Sequence, residues 1–201
     1  MSPIVLIFYL MVGLVMPLAS GAETGAPADF SVREGRLLLR VMSFNILQAK
    51  RDGSVGAWRQ RRHLVTEVIN AFAPDLLGVQ EALKSQADFL TEALPGYGYV
   101  GVGWLGGKED DIQVAIFYRK SLFERLDEGH FWLSKTPDVP WSKSWFTTKP
   151  RMVSWVKLNT RTKPVQTIWF FNTHLTTISI TAKRKSASII HERMKLSLIH
   201  I

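Results

Sequence analysis

Two apolar runs of strand length, each followed by a segment with helical periodicity, open the folded part of this 201-residue chain, and a series of β-rich runs follows them. Residues 37–44 read as a buried strand. The segment from Trp58 to Phe72 reads as a helix, because Leu64, Val65, Val68, Ile69 and Phe72 recur at the three- and four-residue spacing of one helical face. After the Pro74-Asp75 turn the pair repeats. Residues 76–80 form a short apolar run, and the stripe Leu83, Ala87, Leu90 and Leu94 predicts a helix over 84–94 that Pro95-Gly96 ends. From Tyr97 the helical period disappears, and strands are expected at 99–102, 114–119, 123–126, 131–134, 152–158 and 165–172. A helix over 182–196 closes the pattern. Two βα units followed by consecutive strands predict an α/β protein with mixed sheets covered by helices.

Composition narrows the class further. With 46% hydrophobic residues, 21% charged residues and no cysteine, the chain can bury a core and is neither a disordered tract nor a disulfide-stapled scaffold. Its length suits one domain. The first 22 residues carry no Asp, Glu, Lys or Arg, and the apolar run 4–18 gives way to Ala19-Ser20-Gly21-Ala22. Residues 1–22 therefore read as a secretory signal cleaved before Glu23, with an uncleaved membrane anchor as the alternative. Either reading places the domain outside the cytoplasm. Residues 23–36 read as a linker rich in Gly, Ala and Pro, which leaves 37–201 as the domain.

The net charge of +8 lies wholly outside the leader. From Thr181 to the end, five basic residues (Lys183, Arg184, Lys185, Arg193, Lys195) face one acidic residue (Glu192), half of the total excess. Such a surface attracts phosphate-bearing polymers or an anionic membrane, although a solvated helix face is the simpler explanation of the run.

The polar residues that can carry chemistry lie at the ends of the apolar runs. Asn45 closes the first, Glu81 the second, and His174 the run 165–172 with Asn172-Thr173 between. In α/β sheets ligands bind beyond the carboxyl ends of strands, so an amide, a carboxylate and an imidazole can converge there. Each also has a plain structural explanation. Asn45 can cap a turn, Glu81 can cap the next helix, and His174 can be a hydrogen-bonded core residue.

Together these segments resemble one family. Ser43-Phe44-Asn45, Pro74-Asp75 with Gln80-Glu81, Ile116-Phe117-Tyr118-Arg119, Arg151 and Asn172-Thr173-His174-Leu175 look like the endonuclease/exonuclease/phosphatase superfamily, the metal-dependent phosphoesterases with a deoxyribonuclease I-like fold. The resemblance runs from about Arg40 to Arg193. It implies a four-layer α/β sandwich with two mixed sheets face to face and helices outside.

The resemblance also implies roles. Glu81 would ligate Mg²⁺ or Mn²⁺, Asn45 and His174 would be catalytic, Arg151 would hold phosphate, and an acid preceding the Ile116-Arg119 strand would orient the histidine, with Asp111 the candidate. Hard divalent cations prefer carboxylate oxygen, and arginine offers phosphate a fork of donors. A salt bridge is the plain explanation of Arg151, and loop solubility that of Asp111. The implied activity is hydrolysis of a phosphodiester, in nucleic acid or a phospholipid head group, by a monomeric exported enzyme.

Two departures qualify this expectation. Thr176-Thr177 stands where an Asp-His pair would follow His174, and nothing after Leu175 matches the family's Gly-Asp-Phe-Asn strand or its final Asp-His pair. The chain is accordingly read as carboxy-terminally truncated, and the alternative function is a catalytically incomplete module that binds phosphate polymers. Gly101, Gly103, Gly106 and Gly107 read as a flexible turn. Trp155 and Trp169 read as core, whereas Trp141 and Trp145 lie in a loop that can stand at the mouth of a cleft or pack on the domain.

Overall fold

The computed structural model describes residues 4–9, 32–33, 36–49, 56–104 and 111–199. Most of the expected leader and linker, the glycines at 106 and 107, and the last two residues lie outside them. The elements run β1 (Ile4–Tyr9), β2 (Val32–Arg33), β3 (Arg36–Leu37), β4 (Val41–Asn45), α1 (Trp58–Phe72), β5 (Leu76–Leu83), α2 (Lys84–Ala93), β6 (Tyr97–Val100), β7 (Ile112–Arg119), β8 (Phe123–Trp132), β9 (Met152–Thr160), β10 (Thr167–Thr173) and α3 (Ile180–Ile199).

Two four-stranded sheets face each other, one ordered β4-β5-β7-β6 and the other β1-β10-β9-β8. Both are mixed. β4 and β5 are parallel, β5 and β7 antiparallel, and in the second sheet β1 is parallel to β10 whereas β9 is antiparallel to both its neighbours. Between the sheets, Leu76, Ile116 and Tyr118 pack on Val156, Leu158, Ile168 and Phe170. Val65, Ile69, Ala87 and Leu90 of the first two helices cover Leu77, Val79, Ala115 and Phe117 on the outer face of the first sheet. On the outer face of the second, Ile190 of α3 packs on Phe131, Val153, Trp169 and Phe171. The result is the four-layer α/β sandwich, with strand residues buried on both faces and therefore apolar in nearly continuous runs.

Several expectations change in detail. The runs 123–126 and 131–134 are parts of one strand, β8, whose register on β9 shifts between Arg125 and Asp127, so the polar interruption is a bulge in an exposed stretch. The expected apolar face of α1 is narrower, because only Val65 and Ile69 are buried while Leu64, Val68 and Phe72 stay exposed. Residues 4–9 of the expected leader pair with β10 along the edge of the second sheet. No helix among the described residues is long and apolar enough to cross a membrane.

The motif residues Asp75 and Arg119 lie at the end of β5 opposite Glu81. The Asp75 carboxylate accepts the Arg40 backbone N–H at 2.8 Å and faces Arg119 Nε at 3.7 Å, while Arg119 donates to the Ala73 carbonyl at 2.8 Å. That buried pair ties β4, β5 and β7 together, so this part of the family pattern is architectural.

Candidate active site

Glu81 sits in a bulge within β5, not at the strand end expected for it. Gln80 pairs with Val114 and Ala82 with Gln113, so Glu81 is the extra residue, and its φ of 62° lies in the left-handed region. A bulge re-aims one side chain, and a left-handed carboxylate residue marks strain that the surrounding sheet must hold. The backbone of α2 begins beyond it, with Gln86 Oε1 accepting the Leu83 N–H at 3.1 Å, so Glu81 does not cap that helix.

Asn45 ends β4 in register with Gln80. Its Nδ2 donates to Glu81 Oε1 at 3.0 Å, and its Oδ1 accepts the Leu47 N–H at 2.9 Å. It therefore turns the chain and fixes the carboxylate at once. His174, the first residue after β10, places Nε2 3.8 Å from the same Glu81 oxygen. Burial, helped by the nearby Arg151 charge and opposed by Glu81, holds the His174 imidazole below the ordinary histidine range, which leaves it neutral at neutral pH.

Arg151 precedes β9, and its guanidinium lies over the Trp104 ring at 4.9 Å. The Trp104 ring is 6.5 Å from the His174 ring, so one tryptophan backs both the guanidinium and the imidazole. Arg151 makes no ion pair among the described residues. Its Nη1 is buried without a hydrogen-bond partner, and Glu81 is the charge that acts on it. A buried guanidinium donor without a partner is costly unless an anion satisfies it. The salt-bridge explanation of Arg151 does not hold here.

No hydrogen bond joins Asp111 to the His174 Nδ1. The His174 Nδ1 is buried with no hydrogen-bond partner, and Asp111 is instead buried against Gly103, where an added Cβ would come within 2.1 Å of its Oδ2. The bridge between Gly103 and Gln113 sets that position. The structure thus brings Asn45, Glu81, His174 and Arg151 together.

Three contributors were not visible in the sequence. Trp104 gave no periodic signal, standing in a loop after a Gly-rich turn. Arg61 of α1 donates to the carbonyls of Ile46, Leu47 and Gly56, the last at 2.9 Å, and fixes the segment after Asn45. Gln86 of α2, fully buried, donates to the Leu47 carbonyl at 3.1 Å and accepts the Ala49 N–H at 2.7 Å. The last two read in sequence as ordinary helix residues.

The fit of a divalent cation follows from the donor set. Glu81 presents a carboxylate that is only partly exposed, and Mg²⁺ is commonly held by one or two carboxylates with water and substrate phosphate filling the remaining positions. Among the described residues no group of three or more His, Cys, Asp or Glu side chains converges.

Residues 42–189 match the endonuclease/exonuclease/phosphatase family. A mannosyl-6-phosphatase from Bacteroides thetaiotaomicron is 38% identical, with a TM-score of 0.73 over 79% of this chain and 59% of its own. A family protein from Bacteroides vulgatus is 31% identical, with a TM-score of 0.74 over 78% of this chain and 60% of its own. An uncharacterized protein of Acanthamoeba polyphaga mimivirus is 29% identical over 166 residues, which is 77% of this chain and 60% of the viral protein. The chain therefore spans less than two thirds of the length of these relatives. With its fold, its matched residues and the convergence of Asn45, Glu81 and His174 in agreement, the chain belongs to the endonuclease/exonuclease/phosphatase family, whose members are hydrolases acting on phosphate esters.

Proposed function

We propose that this protein is an exported, divalent-metal-dependent hydrolase of phosphate esters. The observation that carries the reading is the buried Nη1 of Arg151, which has no hydrogen-bond partner and lies within electrostatic reach of the Glu81 carboxylate: a donor that an anion would satisfy, near an oxygen that would suit a cation. A phosphate ester satisfies both. The 38% identity to a mannosyl-6-phosphatase extends the substrate range from phosphodiesters to sugar phosphomonoesters. Export rests on the uncharged, apolar first 22 residues.

In this mechanism Arg151 receives two phosphate oxygens in its fork of donors and holds phosphorus against the site. Glu81 holds the cation, kept in one orientation by Asn45 Nδ2. When bound, Mg²⁺ or Mn²⁺ would supply Lewis-acid neutralisation of the developing phosphoryl charge. The neutral His174 donates from Nε2 to a phosphoryl oxygen as negative charge builds, within a buried pocket that strengthens the contact. Trp104 excludes water behind the arginine and the histidine.

The test is hydrolysis of 4-nitrophenyl phosphate and bis(4-nitrophenyl) phosphate by the purified chain with Mg²⁺, Mn²⁺ or EDTA. Turnover should require metal and fall about a thousandfold or more in Glu81→Gln. No turnover with either metal, or full activity in the variant, would overturn the proposal. A second reading, a phosphate-polymer-binding module without catalysis, is favoured by the five basic residues against one acidic residue from Thr181 onward. It requires salt-sensitive binding of nucleic acid that is indifferent to metal. Export is checked by sequencing the mature amino terminus, which should begin at Glu23.

A further inference from the structure

A cavity of about 480 Å³ adjoins the site and shares a wall with it. Trp104, on which Arg151 lies, forms that wall, and Gln48, Asp111, Trp141, Lys143 and Lys149 contribute to the rest. This volume falls within the range of pockets that enclose small organic ligands, so it holds a good deal more than the phosphate itself.

The loop that furnishes the outer wall is firmly held. Leu133 N–H donates to the Arg151 carbonyl at 2.7 Å and Trp132 N–H to the Pro137 carbonyl at 2.8 Å, which pins the stems. Within the loop, the Ser142 hydroxyl lies 2.6 Å from the Ser134 hydroxyl and donates to the Thr136 carbonyl at 2.9 Å, while Ser144 Oγ accepts the Lys135 N–H at 3.0 Å. This network carries Trp141 at a φ of 65° with half of its surface exposed. An exposed tryptophan in the left-handed region costs stability twice, through backbone strain and through apolar exposure. Its ring, at the cavity wall, offers a stacking surface. Two positive charges flank it, because neither Lys143 nor Lys149 is ion-paired among the described residues.

Resting on the phosphoesterase reading of the adjoining site, we propose that this cavity seats the alcohol portion of the substrate and selects a compact, ring-bearing phosphate ester that carries a second phosphate. The ring lies against Trp141 and Trp104, the scissile phosphate meets Arg151, and the second phosphate meets Lys143 and Lys149. Sugar bisphosphates and nucleoside bisphosphates share this chemistry.

The test reads binding in EDTA, so it does not depend on turnover. The full chain is titrated by calorimetry with glucose 6-phosphate, glucose 1,6-bisphosphate, AMP, adenosine 3′,5′-bisphosphate and glycerol 3-phosphate. In the sugar pair, the nucleotide pair or both, the bisphosphate should bind about tenfold or more tightly than its monophosphate, and the pair that responds identifies the source. The preference should vanish in the Lys143→Ala/Lys149→Ala variant. Trp141→Gly, which suits the left-handed backbone, should weaken the ring ligands about tenfold and glycerol 3-phosphate much less. Equal binding within both pairs, or a preference that survives the double lysine variant, would overturn the inference. Bisphosphate preference without metal-dependent hydrolysis would support this pocket while sinking the catalytic reading.

Discussion

Gln80 of β5 donates from Nε2 to Asn172 Oδ1 of β10 at 2.7 Å, a hydrogen bond that joins the two facing sheets in the fully buried layer between them. Gln80 also donates to Ser43 Oγ at 3.1 Å and to the Gly78 carbonyl at 3.2 Å. Asn172 donates from Nδ2 to the carbonyls of Val79 at 2.9 Å and Ala115 at 2.7 Å. Glu81 follows Gln80 by one residue and His174 follows Asn172 by two, so this network sets the distance between the carboxylate and the imidazole.

Asn172→Ala should therefore cost about 3 kcal/mol or more of stability, because it takes away the amide that donates to two buried carbonyls and the Gln80 contact that joins the sheets. Urea denaturation followed by tryptophan fluorescence measures the loss. A change below about 1 kcal/mol would mean that the network relaxes or rehydrates.

Gly78→Ala probes the same layer from the other sheet. An added Cβ would lie 2.8 Å from Asn172 Cγ and Oδ1, so either the amide or the sheet must move. The expected result is destabilisation of about 1 to 3 kcal/mol together with a lower kcat, since the shift carries His174 away from Glu81. Unchanged kcat with lowered stability would separate the sheet spacing from the chemistry.

Asn45→Ala removes the donor that orients Glu81 and should lower activity about 10- to 100-fold while raising the metal concentration needed for half-maximal rate. Asn45→Asp should be worse, because a second carboxylate would repel Glu81 in the metal-free protein. Metal titrations of initial rate on the three proteins provide the comparison.

His130, half-buried on β8 with Nδ1 3.1 Å from the Ser154 hydroxyl, has its pKa lowered to about 4 by desolvation. The unfolded chain takes up this proton near pH 6.5 and the folded one only near pH 4. Stability is thus fully present above the unfolded value and declines as pH falls from about 6.5 toward 4. His130→Gln should flatten that decline by up to about 3 kcal/mol in urea midpoints compared at pH 7 and pH 4.5. Equal slopes in both proteins would show that His130 protonates as easily in the fold as outside it.

Local patterns made much of the architecture readable. The helix Trp58–Phe72 and the strand pair around Pro74-Asp75 follow from periodicity and turn chemistry, which act over a few residues. The sequence signals missed features that depend on distant partners. Polar residues in 123–134 read as a break between strands, although β9 carries β8 through it by shifting register. Leu64, Val68 and Phe72 fit the helical stripe, yet the sheet beneath α1 offers room for only Val65 and Ile69.

The sequence alone determined the α/β class, which follows from short-range periodicity, and the resemblance of its motifs to a known family pointed to Asn45, Glu81, Arg151 and His174. Only the tertiary structure decided how they act together. The bulge that turns Glu81 inward needs β7, the partnership of Arg151 with Trp104 joins two loops, and Asp111 packs against Gly103. The first two are packing relationships between segments far apart in the chain, and packing is resolved only when the sheets close on one another.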